Sequence, residues 1–139
     1  AIAMSWDSWV SNLLQYPGVN FGAICGNDGS VWAKSENFVA SPEELQALAA
    51  GIGKNNAGEF QSFKLNGEKF MTIRLLNREL DAKKLQSSVT VMGCTQCFVI
   101  GGYIASSEGS GEPNMGTGGG QKVNVAVSKL KDSLVASGY

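Results

Sequence analysis

The dipeptide Asn66-Gly67 separates two runs with strand-like composition, Glu59 to Leu65 and Glu68 to Leu76. Asn-Gly accepts the two positive φ angles of a type I′ turn, and that turn's twist matches paired strands. The runs are therefore expected as an antiparallel hairpin. Asn27-Asp28-Gly29 does the same for Phe21 to Cys25 and Ser30 to Lys34. A third hairpin is expected from Ser88 to Met92 and Phe98 to Ile104, around Gly93-Cys94-Thr95-Gln96-Cys97. The charged stretch Asn77 to Ser87 fits either a short helix or another strand. Hairpins restrict the sheet to antiparallel pairing, because a parallel pair needs a long crossover.

Helical periodicity accounts for the rest. Trp6, Trp9, Val10, Leu13 and Leu14 share one face of a first helix, capped by Ser5 and stopped by Tyr16-Pro17-Gly18. Ser41-Pro42-Glu43-Glu44 combines an N-cap, a proline at the first helical position and a capping-box glutamate. Leu45, Leu48, Ala49 and Ile52 form the stripe of that second helix. A Gly/Ser/Pro-rich stretch, Gly109 to Gly120, reads as a connector. A third helix, about Gln121 to Ala136, buries Val123, Val127, Leu130 and Leu134, with Val125, Ala126 and Val135 outside the stripe. Helices segregated onto an antiparallel sheet make an α+β domain. At 139 residues the chain is one domain with a real core. Met4-Ser5 reads as a natural start, with Ala1-Ile2-Ala3 a scar ahead of the domain, which spans 4–139.

Several function classes are excluded. The chain has no histidine, which removes His-based triads, general bases and His metal ligands. No acidic pair stands out for acid–base work, so no enzyme is expected. Cys94-Thr95-Gln96-Cys97 lacks the two further ligands of a zinc site and sits in a hairpin turn, not at a helix start. It reads as two ordinary turn cysteines. Gly116 to Val123 fails the phosphate-loop pattern, because no Ser or Thr follows Lys122. Three cysteines with no signal-peptide pattern suggest reduced thiols in the cytoplasm.

Charge is unevenly spread. Residues 1–60 hold two bases against six acids, a net −4; residues 61–139 hold nine against six, a net +3. The second half can offer a mildly basic face to an acidic partner, too weak for nucleic acid. The aromatics remain. Trp6 and Trp9 at helical spacing are more often core than site. Yet Trp32 on a strand, with Tyr16 and Tyr139 at element ends, adds rings with polar tips. Clustered at a surface, such rings suit a polyproline II ligand, which stacks on them while its carbonyls accept hydrogen bonds.

Ser5-Trp6-Asp7-Ser8-Trp9-Val10, Ala23-Ile24-Cys25-Gly26-Asn27-Asp28-Gly29-Ser30-Val31-Trp32-Ala33, Asn66-Gly67-Glu68-Lys69-Phe70 and the terminal helix ending in Tyr139 together resemble the profilin family. The resemblance runs from Met4 onward. It implies a central antiparallel sheet with the first and last helices side by side on one face. It further implies a cytoplasmic, monomeric regulator of actin polymerisation, with no cofactor and no metal. A polyproline groove is implied at Trp6, Trp9, Asn12, Trp32, Ser133, Leu134 and Tyr139. Trp9 stands where many profilins have Tyr, and Ser133 where animal profilins often have His. A site for monomeric actin is implied at Lys69, Met71, Arg74, Lys83, Lys84, Gln121, Asn124 and Lys129. Val125 replaces a base common in animal profilins, and Lys129 stands where they often have an acid. The partners implied are monomeric actin, proline-rich proteins such as filament-elongation factors, and phosphoinositides only weakly, given few bases. A proline-rich-peptide adaptor without actin binding is the alternative, and a PAS-like small-molecule sensor a more distant one.

Overall fold

The computed structural model describes residues 6–16, 19–54, 56–84, 87–103 and 119–139, with backbone alone at 6–7 and 119–122. The expected Ser5 cap, the Pro17-Gly18 stop, the end of the last strand at Ile104 and most of the Gly109–Gly120 connector lie outside the described residues. The elements run α1 (Trp6–Leu14), β1 (Phe21–Gly26), β2 (Val31–Lys34), α2 (Pro42–Ile52), a 3-10 turn (Ala57–Glu59), β3 (Ser62–Leu65), β4 (Glu68–Leu76), β5 (Glu79–Lys84), β6 (Ser87–Gly93), β7 (Cys97–Tyr103) and α3 (Gly119–Ala136).

The seven strands form one sheet in the order β2-β1-β7-β6-β5-β4-β3. Every neighbouring pair is antiparallel. The expected turn chemistry holds at Asn66 and Gly67, with φ of 56° and 76°. Glu44 ties that turn to α2. Its carboxylate accepts from Ser41 N as the capping box, and also from Asn66 N and Gly67 N at 3.1 and 2.9 Å.

Two expectations change. The run expected as a strand from Glu59 begins with a 3-10 turn, held by Asn56 Oδ1 accepting from Gly58 N, so β3 starts only at Ser62. The ambiguous stretch is a strand, β5, entered through Asn77-Arg78 with φ of 55° and 60°. This turn lacks glycine. Arg78 holds its left-handed conformation while its guanidinium donates to Cys94 O at 2.7 Å and Asn27 Oδ1 at 2.9 Å.

The sheet separates two cores. One face carries Phe21, Phe63, Phe70, Leu80, Val91, Phe98 and Ile100 against Leu45, Leu48 and Ile52 of α2. The other carries Ile24, Met92, Val99 and Tyr103 against Val10 and Leu13 of α1 and the stripe of α3. Ala126 joins that stripe, correcting its placement outside it, because it lies one turn from Val123 and Leu130. The two helices pack closely through the paired Gly22 and Gly101. A Cβ on Gly101 would lie 2.4 Å from Val127 Cγ2, and one on Gly22 2.7 Å from Leu13 Cδ2. The α1 and α3 helices thus lie side by side on one face, with α2 on the other.

Candidate functional site

On the α1/α3 face the two helices border an open cleft of about 380 Å³. Trp9 and Asn12 line it from α1, Tyr16 from the bend that follows, and Lys129, Asp132 and Ser133 from α3. Lys129 Nζ lies 6.0 Å from the Tyr16 ring centroid, within reach of its negative face.

A second aromatic feature lies on the same face. Trp32 and Tyr139 meet edge to face, with ring centroids 6.5 Å apart. Trp32 gets there through a bulge. Ile24 pairs with Ala33 and Cys25 with Val31, so Trp32 is the extra residue on β2. Strict alternation would place it opposite Ala33; the bulge lets both pack on the α1/α3 core. The indole reaches over Gly26, where a Cβ would lie 3.0 Å from Trp32 Nε1.

Tyr139 is positioned by the end of α3. Gly138 is left-handed at φ 96°, Tyr139 N donates to Leu134 O and Gly138 N to Val135 O, the two bonds of a Schellman motif. The β6–β7 turn then grips this end. Gln96 N donates to Tyr139 O at 2.6 Å, and Gln96 Nε2 to Gly138 O at 3.0 Å.

Of the expected groove residues, Trp9, Asn12 and Ser133 line the cleft and Trp32 and Tyr139 form the ring pair. Leu134, at 0% exposure, lies in the core beneath the site, because its position continues the stripe from Val123. The Trp6 side chain lies outside the described residues. Tyr16, one of the rings singled out in the sequence, and Lys129, which the resemblance assigned to the actin site, also line this cleft.

The basic face is built differently. Cross-strand pairing puts Lys69 opposite Lys64 and Met71 opposite Lys83. A bulge at Ile73 shifts the register, so Arg74 pairs with Asp81. That shift brings Arg74 to the same face as Met71, although they stand three positions apart. Asp81 gathers four elements. It meets Arg74 Nη2 at 2.9 Å and accepts from Thr90 Oγ1 at 2.7 Å and Asn124 Nδ2 at 3.1 Å. Beside Lys69, Lys83 and Arg74 lie Met71, Ile73 and Leu76, which are 52%, 62% and 55% exposed.

Two residues expected there are elsewhere. Lys84 shares the pleat of Leu80 and Ala82, so it belongs to the α2 side, where it pairs with Glu68. Lys129 lies about 140° around α3 from Asn124, which turns it into the cleft. The base on the Asn124 side is Lys131, only about 20° away and paired with Glu79 at 2.8 Å. The Gln121 side chain lies outside the described residues.

The thiols are buried at Cys25, Cys94 and Cys97. Burial pushes Cys25 up to about 12. The Cys94 thiol is raised, first by its hydrogen bond with Cys97 and then by burial, while the same bond lowers Cys97.

A family model described as Profilin matches residues 4–139. Profilin-2 of Acanthamoeba castellanii is 33% identical over 137 residues, covering 98% of this chain and all of that one. The crystal structure of Acanthamoeba castellanii profilin II superposes with a TM-score of 0.79 at 29% identity, over 97% of this chain and all of the other. The fold also matches mouse profilin IIa in complex with a double repeat from the FH1 domain of mDia1, at 22% identity, TM-score 0.70 and coverage of 98% and 100%. It matches the LokiProfilin2/rabbit actin complex at 16% identity, TM-score 0.75 and coverage of 97% and 98%. With a family match across 4–139 and a full-length relative at 33% identity, the chain belongs to the profilin family.

Proposed function

We propose that the protein holds monomeric actin on its basic sheet face and proline-rich segments on its α1/α3 face, and so regulates actin polymerisation in the cytoplasm. Profilins are not enzymes, and binding alone suffices for this role. The observation that carries the proposal is the pairing of Trp32 with Tyr139 on the face that bears the Trp9 cleft. A polyproline II ligand offers proline rings to stack on such surfaces and carbonyls to accept from indole, phenol and amide donors. Asn12 and Ser133 supply polar groups between the rings. The preformed ligand loses little entropy on docking, so a few ring contacts suffice. Mouse profilin IIa in its complex with an FH1 repeat supports the assignment by shared fold.

For actin, exposed Met71, Ile73 and Leu76 supply apolar contact, while Lys69, Arg74 and Lys83 supply positive field. Apolar centres with charged rims are usual in such interfaces. Asn124 closes the face from α3 through Asp81.

A second reading, a proline-rich-peptide adaptor without actin, is favoured by two facts. Arg74 is already neutralised by Asp81, and Lys129 is turned into the cleft. Two assays decide. Tryptophan fluorescence titrated with decaproline should change saturably in wild type and not in Trp32→Ala; a flat wild-type titration removes the proline half. Sedimentation of actin filaments with excess protein should raise the unpolymerised fraction; no rise with any actin tried leaves the adaptor reading.

A further inference from the structure

We propose that Cys94 and Cys97 form a reversible disulfide on exposure to a peroxide, and that this bridge loosens Tyr139 from the aromatic site. The second half rests on the proline-binding reading above. The two cysteines close a two-residue turn: Cys94 N donates to Cys97 O at 2.7 Å, next to the last ladder pair, Gly93 with Phe98. Directly opposed residues point to the same face, and both thiols belong to the α1/α3 core. Opposed hydrogen-bonded residues have Cα atoms roughly 5.5 Å apart, inside the range a disulfide spans. Each thiol is the first cause of the other's shift, raised at Cys94 and lowered at Cys97. Cys97 is the nucleophile, since its partner's S–H and the nearby Arg78 both favour its thiolate. Its sulfur attacks one peroxide oxygen, the O–O bond breaks, and hydroxide leaves, taking up a proton to become water. Cys94 then attacks the sulfenic sulfur. The S–S bond forms, the hydroxyl leaves, and the Cys94 proton makes it a second water. The peroxide is reduced and the two thiols are oxidised.

The consequence follows from what the turn holds. Thr95 and Gln96 are the exposed tip, so oxidant approaches from there during local opening. Gln96 provides two bonds from this turn to the Gly138–Tyr139 end, beside the two of the Schellman motif. A disulfide draws Cβ atoms to roughly 3.8 Å, closer than the roughly 4.5–5.5 Å of an open pair. On the β6 side, Arg78 pins Cys94 O, so the adjustment falls on the Thr95-Gln96 tip. Cys97 also pairs with Gly26, the residue over which the Trp32 indole lies. Oxidation therefore disturbs the ring pair from two sides.

The test uses the full chain, reduced with dithiothreitol or treated with hydrogen peroxide. Alkylation after unfolding, read by mass spectrometry, should find only Cys25 modified in the oxidised sample and all three thiols in the reduced one. Three free thiols after peroxide, or a bridge through Cys25 or a second chain, overturns the proposal. Decaproline affinity should fall roughly three- to tenfold on oxidation, the scale of one lost ring contact, and recover on reduction. Cys94→Ser should form no bridge, with Cys97 stopping at the sulfenic acid, and should keep its decaproline affinity after peroxide. Gln96→Ala, an exposed change, should weaken the reduced protein similarly. An oxidised protein with unchanged affinity overturns the coupling. If the reduced protein binds no decaproline, the proline reading itself fails. The coupling is then read from the emission difference between the chain and its Trp32→Phe variant, where no change on oxidation sinks it.

Discussion

Substituting Gly26 by alanine probes the aromatic site without touching an aromatic residue. The added Cβ would lie 2.9 Å from Ser30 Oγ, 3.0 Å from Asp28 Oδ1 and 3.0 Å from Trp32 Nε1. Comfortable contact begins several tenths of an ångström further out, so the indole must recede by roughly 0.5 Å. All three neighbours are side-chain ends, which can move, so the cost lies at the low end of overpacking, about 1–2 kcal/mol. Loss of glycine's freedom in the unfolded chain offsets about 0.4–1 kcal/mol of that. Net destabilisation should be about 1 kcal/mol or less by urea titration. The functional loss should be larger in proportion. Displacing Trp32 forfeits its edge contact with Tyr139, worth about 0.5–1.5 kcal/mol, so decaproline should bind roughly two- to tenfold more weakly. Gly53→Ala is the control, since its Cβ would meet only backbone at 3.4 Å, remote from the rings. Equal decaproline affinity and unchanged Trp32 emission in Gly26→Ala would refute the claim that the indole seat on Gly26 sets the site.

Further outcomes follow from the geometry. Lys83→Glu should abolish most actin sequestration while Lys84→Glu leaves it near wild type, because only Lys83 shares the face of Met71; equal effects would contradict this. Lys129→Ala should change decaproline affinity and spare actin sedimentation, the reverse of what its sequence position suggests. Asp81→Ala should cost about 2 kcal/mol in urea unfolding, mostly from Thr90 and Asn124 losing their acceptor, since half-exposed Arg74 contributes little. Cys25 stays neutral in the fold up to about pH 12, whereas the unfolded thiol ionises near its ordinary value of 9.0. Above that value the unfolded state binds fewer protons, so stability should fall by about 1.4 kcal/mol per pH unit as pH rises from about 9. Cys25→Ala should make the alkaline slope shallower by that amount, the raised Cys94 thiol still contributing, and an identical slope in both proteins would rule out the assignment.

Much of this protein was legible in its residues because the signals are local. The type I′ turn at Asn66-Gly67, the capping box at Ser41 and the stripe from Val123 to Leu134 each depend on neighbours within a few positions. The absence of histidine is read from composition alone. The strand β5 was ambiguous because its entry turn uses Asn77-Arg78, and Arg78 is held left-handed by Asn27 and Cys94, distant in sequence.

What tertiary structure alone decided is the facing of the site residues. Two bulges do this. One lets Trp32 join Ala33 on the α1/α3 core; the other sets Arg74 beside Met71. Strand alternation has period two, so each inserted residue reverses the facing of everything after it relative to the pattern. Nothing at Trp32 or Ile73 announces the insertion, since it arises from the register of the partner strands. The same holds for Lys84 and Lys129, whose sides are fixed by the pleat of β5 and the rotation of α3 against the sheet. Sequence determined the elements and the kinds of surface they carry; packing decided which side chains share each surface, because register is a relation between strands and not a property of either one.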